Sequence, residues 1–161
     1  MNFWLSSFVT RWHTHPRLST TRDTISGHQQ RVLMICLKLM PDMSREGLIY
    51  AATHDQGESS TGDLPYTFKR DNPGVRLAVS LVEKRSRIGQ GFPTDKINPI
   101  EADIVRLADW TDSYLWAFHH EPDMVNSSCA WNNQMDDMAT LAKSLGVWKE
   151  FSEILVESTH G

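Results

Sequence analysis

An imidazole and a carboxylate stand side by side at His54-Asp55, where the apolar run Gly47-Leu48-Ile49-Tyr50-Ala51-Ala52 gives way to polar chain. Two more carboxylates, Glu58 and Asp63, follow closely. A charge carried into apolar surroundings has to be paired or metal-bound. Imidazole with carboxylate suits Zn, Mn, Fe, Co or Ni better than a thiolate site would. Two residues elsewhere have the right chemistry to complete a ligand set. His28 follows Gly27, where close approach of another segment is easy, and Asp109 is embedded in the apolar stretch Ile104-Val105-Arg106-Leu107-Ala108-Asp109-Trp110. The order is His28, then His54-Asp55, then Asp109, on three separate predicted helices. Taken alone, His54-Asp55 reads more readily as a surface ion pair at a helix end, and Asp112 is as available an acid as Asp109, with the Ala108-Asp109 context deciding between them.

The elements that must position these groups read as helices. Phe3, Trp4, Phe8, Val9 and Trp12 predict an amphipathic helix over about 2–12, ended by His13-Thr14-His15-Pro16 because proline disfavours helix at the residue before it. Residues 17–24 are polar and predict a loop. Thr24 or Ser26 would cap a second helix carrying Val32, Leu33, Ile35, Cys36, Leu39 and Met40, stopped by Pro41. Ser44 would cap a third, ending near His54-Asp55. Residues 56–73 predict a loop with a short helical turn. Pro73 opens a helix to about Arg87, and Gly89-Gln90-Gly91-Phe92-Pro93 breaks it. Pro99 opens a long helix whose apolar face is Ile100, Ile104, Val105, Leu107, Ala108, Leu115 and Phe118, ending before Pro122. Two more helices, over about 127–145 and 147–158, are split by Gly146. No strand pattern or internal repeat is visible, so the expected fold is all-α, a compact single domain over 1–161.

Composition narrows the function classes. The chain has 161 residues, 40% hydrophobic and 22% charged, with a net charge of −4. These are values of an ordinary globular domain, with no basic footprint for a nucleic-acid polymer. Cys36 and Cys129 suggest no disulfide framework, which favours a reducing, cytoplasmic setting. No apolar run approaches the roughly 20 residues that span a bilayer, and the N-terminus lacks signal-peptide features. His13 and His15 read as solvated loop residues. His119-His120 reads as a helix C-terminus, where such groups suit the dipole. Trp110, Tyr114, Trp116 and Phe118 read as core or subunit contact. Lys84, Arg85 and Arg87 read as a solvated helix face, with the alternative that one of them reaches a triphosphate tail, and Arg106, one turn before Asp109, reads as a better-placed phosphate candidate.

Several short motifs occur in one order: Arg11-Trp12, Ser26-Gly27-His28, His54-Asp55 with Glu58, Thr61-Gly62-Asp63-Leu64-Pro65 followed by Lys69, and Ala108-Asp109. This set resembles the HD-domain metal-dependent phosphohydrolases. Within them it looks most like the compact 5′-deoxyribonucleotidase branch and the related phage-type deoxynucleoside triphosphate hydrolases, which the opening Arg11-Trp12-His13-Thr14 also resembles. Gly27 stands where many relatives carry Glu. Ser59 stands where the guanosine tetraphosphate hydrolases carry Asp, which argues against that branch.

The resemblance implies that His28, His54, Asp55 and Asp109 bind a divalent metal (Co, Zn, Mn or Mg). It implies that Glu58 positions or activates the attacking water or protonates the leaving oxygen, and that Asp63 supports that carboxylate or holds the sugar. Arg11 and Lys69 would hold phosphate oxygens, and Trp12 would pack on the deoxyribose and disfavour a 2′-hydroxyl. The implied function is a deoxynucleoside triphosphohydrolase, dATP preferred, giving deoxynucleoside and tripolyphosphate, with stepwise dephosphorylation of dADP and dAMP also open. The alternatives are a 5′-deoxyribonucleoside monophosphatase and a non-catalytic nucleotide-binding module. Relatives form dimers or larger rings, so a homo-oligomer (dimer or hexamer) is expected, with the aromatic helices around Trp4 and Trp116 as its interface. The setting would be the host cytoplasm if the chain is phage-encoded.

Overall fold

Thr24 caps the helix that carries His28: its Oγ1 accepts the Gly27 N–H at 3.1 Å, satisfying one of the donors a helix start leaves open. The computed structural model describes residues 2–92 and 97–159. Within them run α1 (Phe3–Ser6), α2 (Ile25–Leu39), α3 (Arg45–Thr53), a 3-10 helix (Gln56–Ser60), α4 (Tyr66–Asp71), α5 (Pro73–Gly89), α6 (Pro99–His120), α7 (Pro122–Ser127), α8 (Cys129–Ser144) and α9 (Trp148–Thr159). Among the described residues there is no strand, only an isolated antiparallel bridge between Thr10 and Thr24. The chain is all-α. No helix among these residues is long and apolar enough to cross a membrane.

The fold comprises two compact units, Met1–Gln29 with Thr53–Lys96, and Gln30–Ala52 with Ile97–Gly161. The second holds the main hydrophobic core. Val32, Ile35, Cys36 and Leu39 of α2 meet Ile104, Val105, Leu107 and Ala108 of α6, with Met138, Ala142, Phe151 and Ile154 from α8 and α9. These positions follow the three- and four-residue spacing of a helix face. Ser44 caps α3 as its position predicts, its Oγ accepting the Gly47 N–H at 3.1 Å. Buried Glu101 completes that cap by accepting from the Ser44 N–H at 2.6 Å and the Ser44 hydroxyl at 2.8 Å. A Cβ on Gly47 would come within 2.7 Å of Met43 and 3.0 Å of Glu101, so glycine is what lets α3 start there.

The first unit is organised around the 3-10 helix. The Gln56 amide donates to the Phe3 carbonyl at 2.7 Å and to the Ser6 hydroxyl, tying the 3-10 helix to α1. The 3-10 helix packs against α5 so closely that a Cβ on Gly57 would run into the Glu83 backbone. Only glycine permits that approach.

Four expectations change. The helix predicted over 2–12 stops at Ser6. Beyond it the backbone turns to pair with the segment before α2: the Arg11 N–H donates to the Asp23 carbonyl at 2.8 Å and the Ile25 N–H to the Val9 carbonyl at 2.9 Å. Those bonds compete with helix for β-branched Val9 and Thr10. Pro122 opens a short extra helix, α7, and extended Ser128 separates it from α8. Ile100, assigned to the apolar face of α6, is 54% exposed at its first turn. Arg87 is not part of a solvated face, as the site geometry makes clear. Pro93, the last residue of the predicted break, lies outside the described residues.

Candidate metal centre

Each of the four expected ligands sits where local structure turns it to use. His28 lies in the first turn of α2 and is fully buried. His54 and Asp55 lie between the end of α3 and the start of the 3-10 helix, so the chain changes course at that pair. His28 Nε2 lies 3.3 Å from His54 Nε2 and 3.2 Å from Asp55 Oδ2. His54 Nε2 lies 3.6 Å from Asp55 Oδ1. Asp109, on α6, joins them: one ligand atom from each of His28, His54, Asp55 and Asp109 lies within 4.8 Å of all the others, and the four could hold a metal ion.

The donor set fits a cation. Ligand atoms about 2.0–2.1 Å from one ion in tetrahedral array stand roughly 3.3 Å apart, which matches the imidazole separation. Two imidazole nitrogens and two carboxylates are borderline-to-hard donors, suited to Zn, Mn or Co. Burial alone would push the Asp55 carboxyl up. His54, His28 and Arg11 outweigh it and hold Asp55 well below the usual carboxylate range, which keeps it ionised for a metal.

Asp112 is already taken. It is buried and held by a two-point ion pair from Arg31, Nε to Oδ1 at 2.6 Å and Nη2 to Oδ2 at 3.1 Å. That settles on physical grounds which acid of α6 is the candidate ligand. Arg31 also lies over the Trp116 ring at 4.3 Å.

Glu58 occupies the buried 3-10 helix three residues after Asp55. Its Oε1 lies 3.8 Å from Lys69 Nζ. Its Oε2 is buried and has no hydrogen-bond partner among the described residues. Burial, then Asp55, then Asp63 push this carboxyl well above its ordinary range, against Lys69 and Arg11.

The remaining candidates take structural roles as well. The Asp63 Oδ2 accepts the Trp12 N–H at 2.6 Å. That bond holds Trp12 at φ 61, a left-handed backbone that costs a non-glycine residue roughly 1–2 kcal/mol. Arg11 is buried, paired with Asp23 at 3.2 Å, and lies over the Trp12 ring at 5.1 Å. Asp63 therefore acts on the Arg11-Trp12 segment by direct hydrogen bonding and on Glu58 through charge.

Other sequence candidates fall outside the cluster. His13 is exposed. His15 Nδ1 accepts the Leu18 N–H at 3.1 Å and serves its own turn. Arg106 pairs with Asp103 at 3.0 Å and lies over Trp110 on an exposed face. The residue that sequence reasoning missed is Arg87. Its Nη1 donates to the His54 carbonyl at 2.9 Å, so α5 pins the backbone beside the ligand pair. Nothing in its charged neighbourhood, Lys84-Arg85-Ser86-Arg87, distinguishes it. The one available signal was Gly57, which brings α5 against the chain following His54-Asp55.

Fold and site together define an all-helical protein with a candidate metal centre of two histidines and two aspartates. No protein-family model, curated protein or solved structure matches the chain.

Proposed function

We propose that the chain is a metal-dependent phosphohydrolase of the HD-domain type that acts on deoxynucleotides, taking dNTPs, dATP first among them, to deoxynucleoside and tripolyphosphate. The observation that carries this reading is the buried, unsatisfied Oε2 of Glu58 beside the four-ligand cluster. An orphaned buried carboxylate oxygen costs stability, and a proton-transfer role is a reason to retain one. A metal held by His28, His54, Asp55 and Asp109 would supply a Lewis acid that polarises a phosphoryl oxygen. Glu58 takes a proton from the attacking water at Oε2 and returns it to the leaving 5′-oxygen, so the water oxygen ends on phosphorus and the nucleoside leaves as its alcohol. Lys69 restrains Oε1, which leaves Oε2 for that exchange. Asp63 holds the Trp12 backbone so that the Trp12 ring can flank the sugar, and Asp23 fixes Arg11 beside it.

Self-association belongs to the same reading, with a second copy of this chain as partner. No residue of α5 is buried, and Leu77, Leu81 and Ile88, which share one side of it at helical spacing, stand 63%, 48% and 42% exposed. Contiguous apolar surface of this kind marks association sites. Trp4 is also exposed, whereas Trp116 is covered by Arg31, so the support lies with α5 and α1 rather than with α6.

The test is a turnover panel. Metal-stripped protein is incubated with each dNTP, rNTP and dNMP, with Mg, Mn, Co and Zn added separately, and products are resolved by anion exchange. Deoxynucleoside with tripolyphosphate supports the triphosphohydrolase. Orthophosphate from dNMPs alone moves the assignment to the 5′-deoxyribonucleoside monophosphatase. Binding without turnover under any metal leaves a nucleotide-binding module.

A further inference from the structure

A pocket of about 240 Å³ lies between the end of α4 and one face of α5, lined by Lys69, Arg70, Arg76, Val79, Ser80 and Glu83. Positions 76, 79, 80 and 83 recur at helical spacing, so they share one side of α5. The apolar residues Leu77, Leu81 and Ile88 fall on another side of it. Three cations face one carboxylate in this pocket. Two of the cations are compensated nearby: Arg70 pairs with Asp71 at 2.7 Å, and Lys69 lies 3.8 Å from Glu58. The Glu83 carboxylate accepts from the Thr61 hydroxyl at 3.1 Å. Arg76 makes no side-chain hydrogen bond or ion pair among the described residues.

We infer that this pocket is a subsite for the distal phosphates of a nucleoside polyphosphate, with Arg76 as its anion-binding group. The inference rests on the proposed hydrolase reading and extends it from substrate family to phosphate number. Lys69 connects the two places, because the ammonium that restrains Glu58 also lines the pocket. A phosphate chain running past Glu58 would meet Lys69 first and Arg76 next. The volume agrees, being too small for a whole nucleotide, whose sites run about 300–1,000 Å³, yet open enough for a phosphate group or two. A guanidinium without a carboxylate partner is the donor that phosphate oxygens fit best. Ser80 adds a hydroxyl from the same helix face. A monophosphate at the metal centre would meet Lys69, which the two places share, whereas Arg76 and Ser80 would act only on the longer phosphate chain.

Binding of inorganic tripolyphosphate, orthophosphate and sulfate to the full chain is measured by calorimetry in metal-free buffer, for the natural sequence and for Arg76→Ser and Ser80→Glu. Tripolyphosphate is expected to bind more tightly than the other two anions, and each variant to weaken it about tenfold, Arg76→Ser by losing one charge-assisted hydrogen bond and Ser80→Glu by placing a like charge beside the anion. In turnover, kcat/KM for dNTPs would fall by the same factor while that for dNMPs stays unchanged. Arg76 is exposed, so folding should survive its replacement. The inference is overturned if tripolyphosphate binds no better than sulfate, or if Arg76→Ser leaves both its affinity and the dNTP to dNMP ratio unchanged. If the natural chain binds tripolyphosphate, Arg76→Ser weakens that binding, and neither chain hydrolyses any nucleotide, the subsite stands and the hydrolase reading is rejected instead.

Discussion

Arg87 Nη1 donates to the carbonyl oxygen of His54 at 2.9 Å. This one bond ties the residue that begins the ligand pair to a helix that contributes no ligand. A metal site depends on such outer contacts for ligand orientation, typically at 10- to 100-fold in affinity. Arg87→Ala is therefore expected to weaken Zn or Co binding about tenfold with helix content preserved. Competition with a chromophoric chelator, alongside circular dichroism, checks it, and unaltered affinity would remove Arg87 from the site.

Gly57 is expected to be the least replaceable glycine near the centre. Gly57→Ala forces a methyl into the Glu83 backbone, and such overpacking typically costs about 1–3 kcal/mol. Gly74, on the same helix as Glu83, has open space around the added carbon. Gly74→Ala should be neutral or stabilise by roughly 0.4–1 kcal/mol, through helix propensity and a less free unfolded chain. Urea midpoints of both variants decide this, and equal behaviour would contradict the close approach of the 3-10 helix to α5.

Glu58 should trade stability for activity. Glu58→Gln is expected to lower turnover by about 10²–10⁴, the usual worth of a positioned acid–base group. In the metal-free protein the same change should be stabilising at neutral pH. Burial, Asp55 and Asp63 raise this carboxyl above its ordinary value of 4.5, so the folded chain binds its proton more tightly than the unfolded chain does. That contribution is fully present below about pH 4.5 and is lost as pH rises through the raised value. The melting-temperature advantage of Glu58→Gln should thus be absent in acid and grow as pH rises. A constant advantage across pH would show that the carboxyl is not perturbed.

The two thiols should differ sharply. Burial pushes the Cys36 thiol up to about 12, with Asp109 adding to it, while Cys129 is exposed. Thiolate is the reactive form. A chromogenic disulfide reagent at pH 8 is expected to titrate one thiol in the native chain and two after denaturation. Two fast thiols in the native state would contradict the packing of Cys36 in the core.

The sequence by itself determined the all-α class, most of the longer helices and the candidate ligands. Apolar residues at three- and four-residue spacing fix which faces are buried, and Thr24, Ser44, Pro73 and Pro99 mark helix starts by chemistry that acts within a few residues. His28, His54, Asp55 and Asp109 were legible because histidine and aspartate inside apolar helices need partners. What only the tertiary structure decided depends on groups far apart in the chain. Arg31 holds Asp112 in a two-point ion pair, which gives the choice of Asp109 over its neighbour a physical reason that the sequence did not contain. Asp63 holds Trp12 in a left-handed backbone, and the helix predicted to reach Trp12 stops at Ser6 because residues 9–11 pair with 23–25. Arg87 looks like any solvated arginine until α5 is packed against Gly57. Local spacing encodes local hydrogen bonds and buried faces. Which of several like-charged side chains meets a given partner is settled by long-range packing, and no short stretch of sequence carries that information.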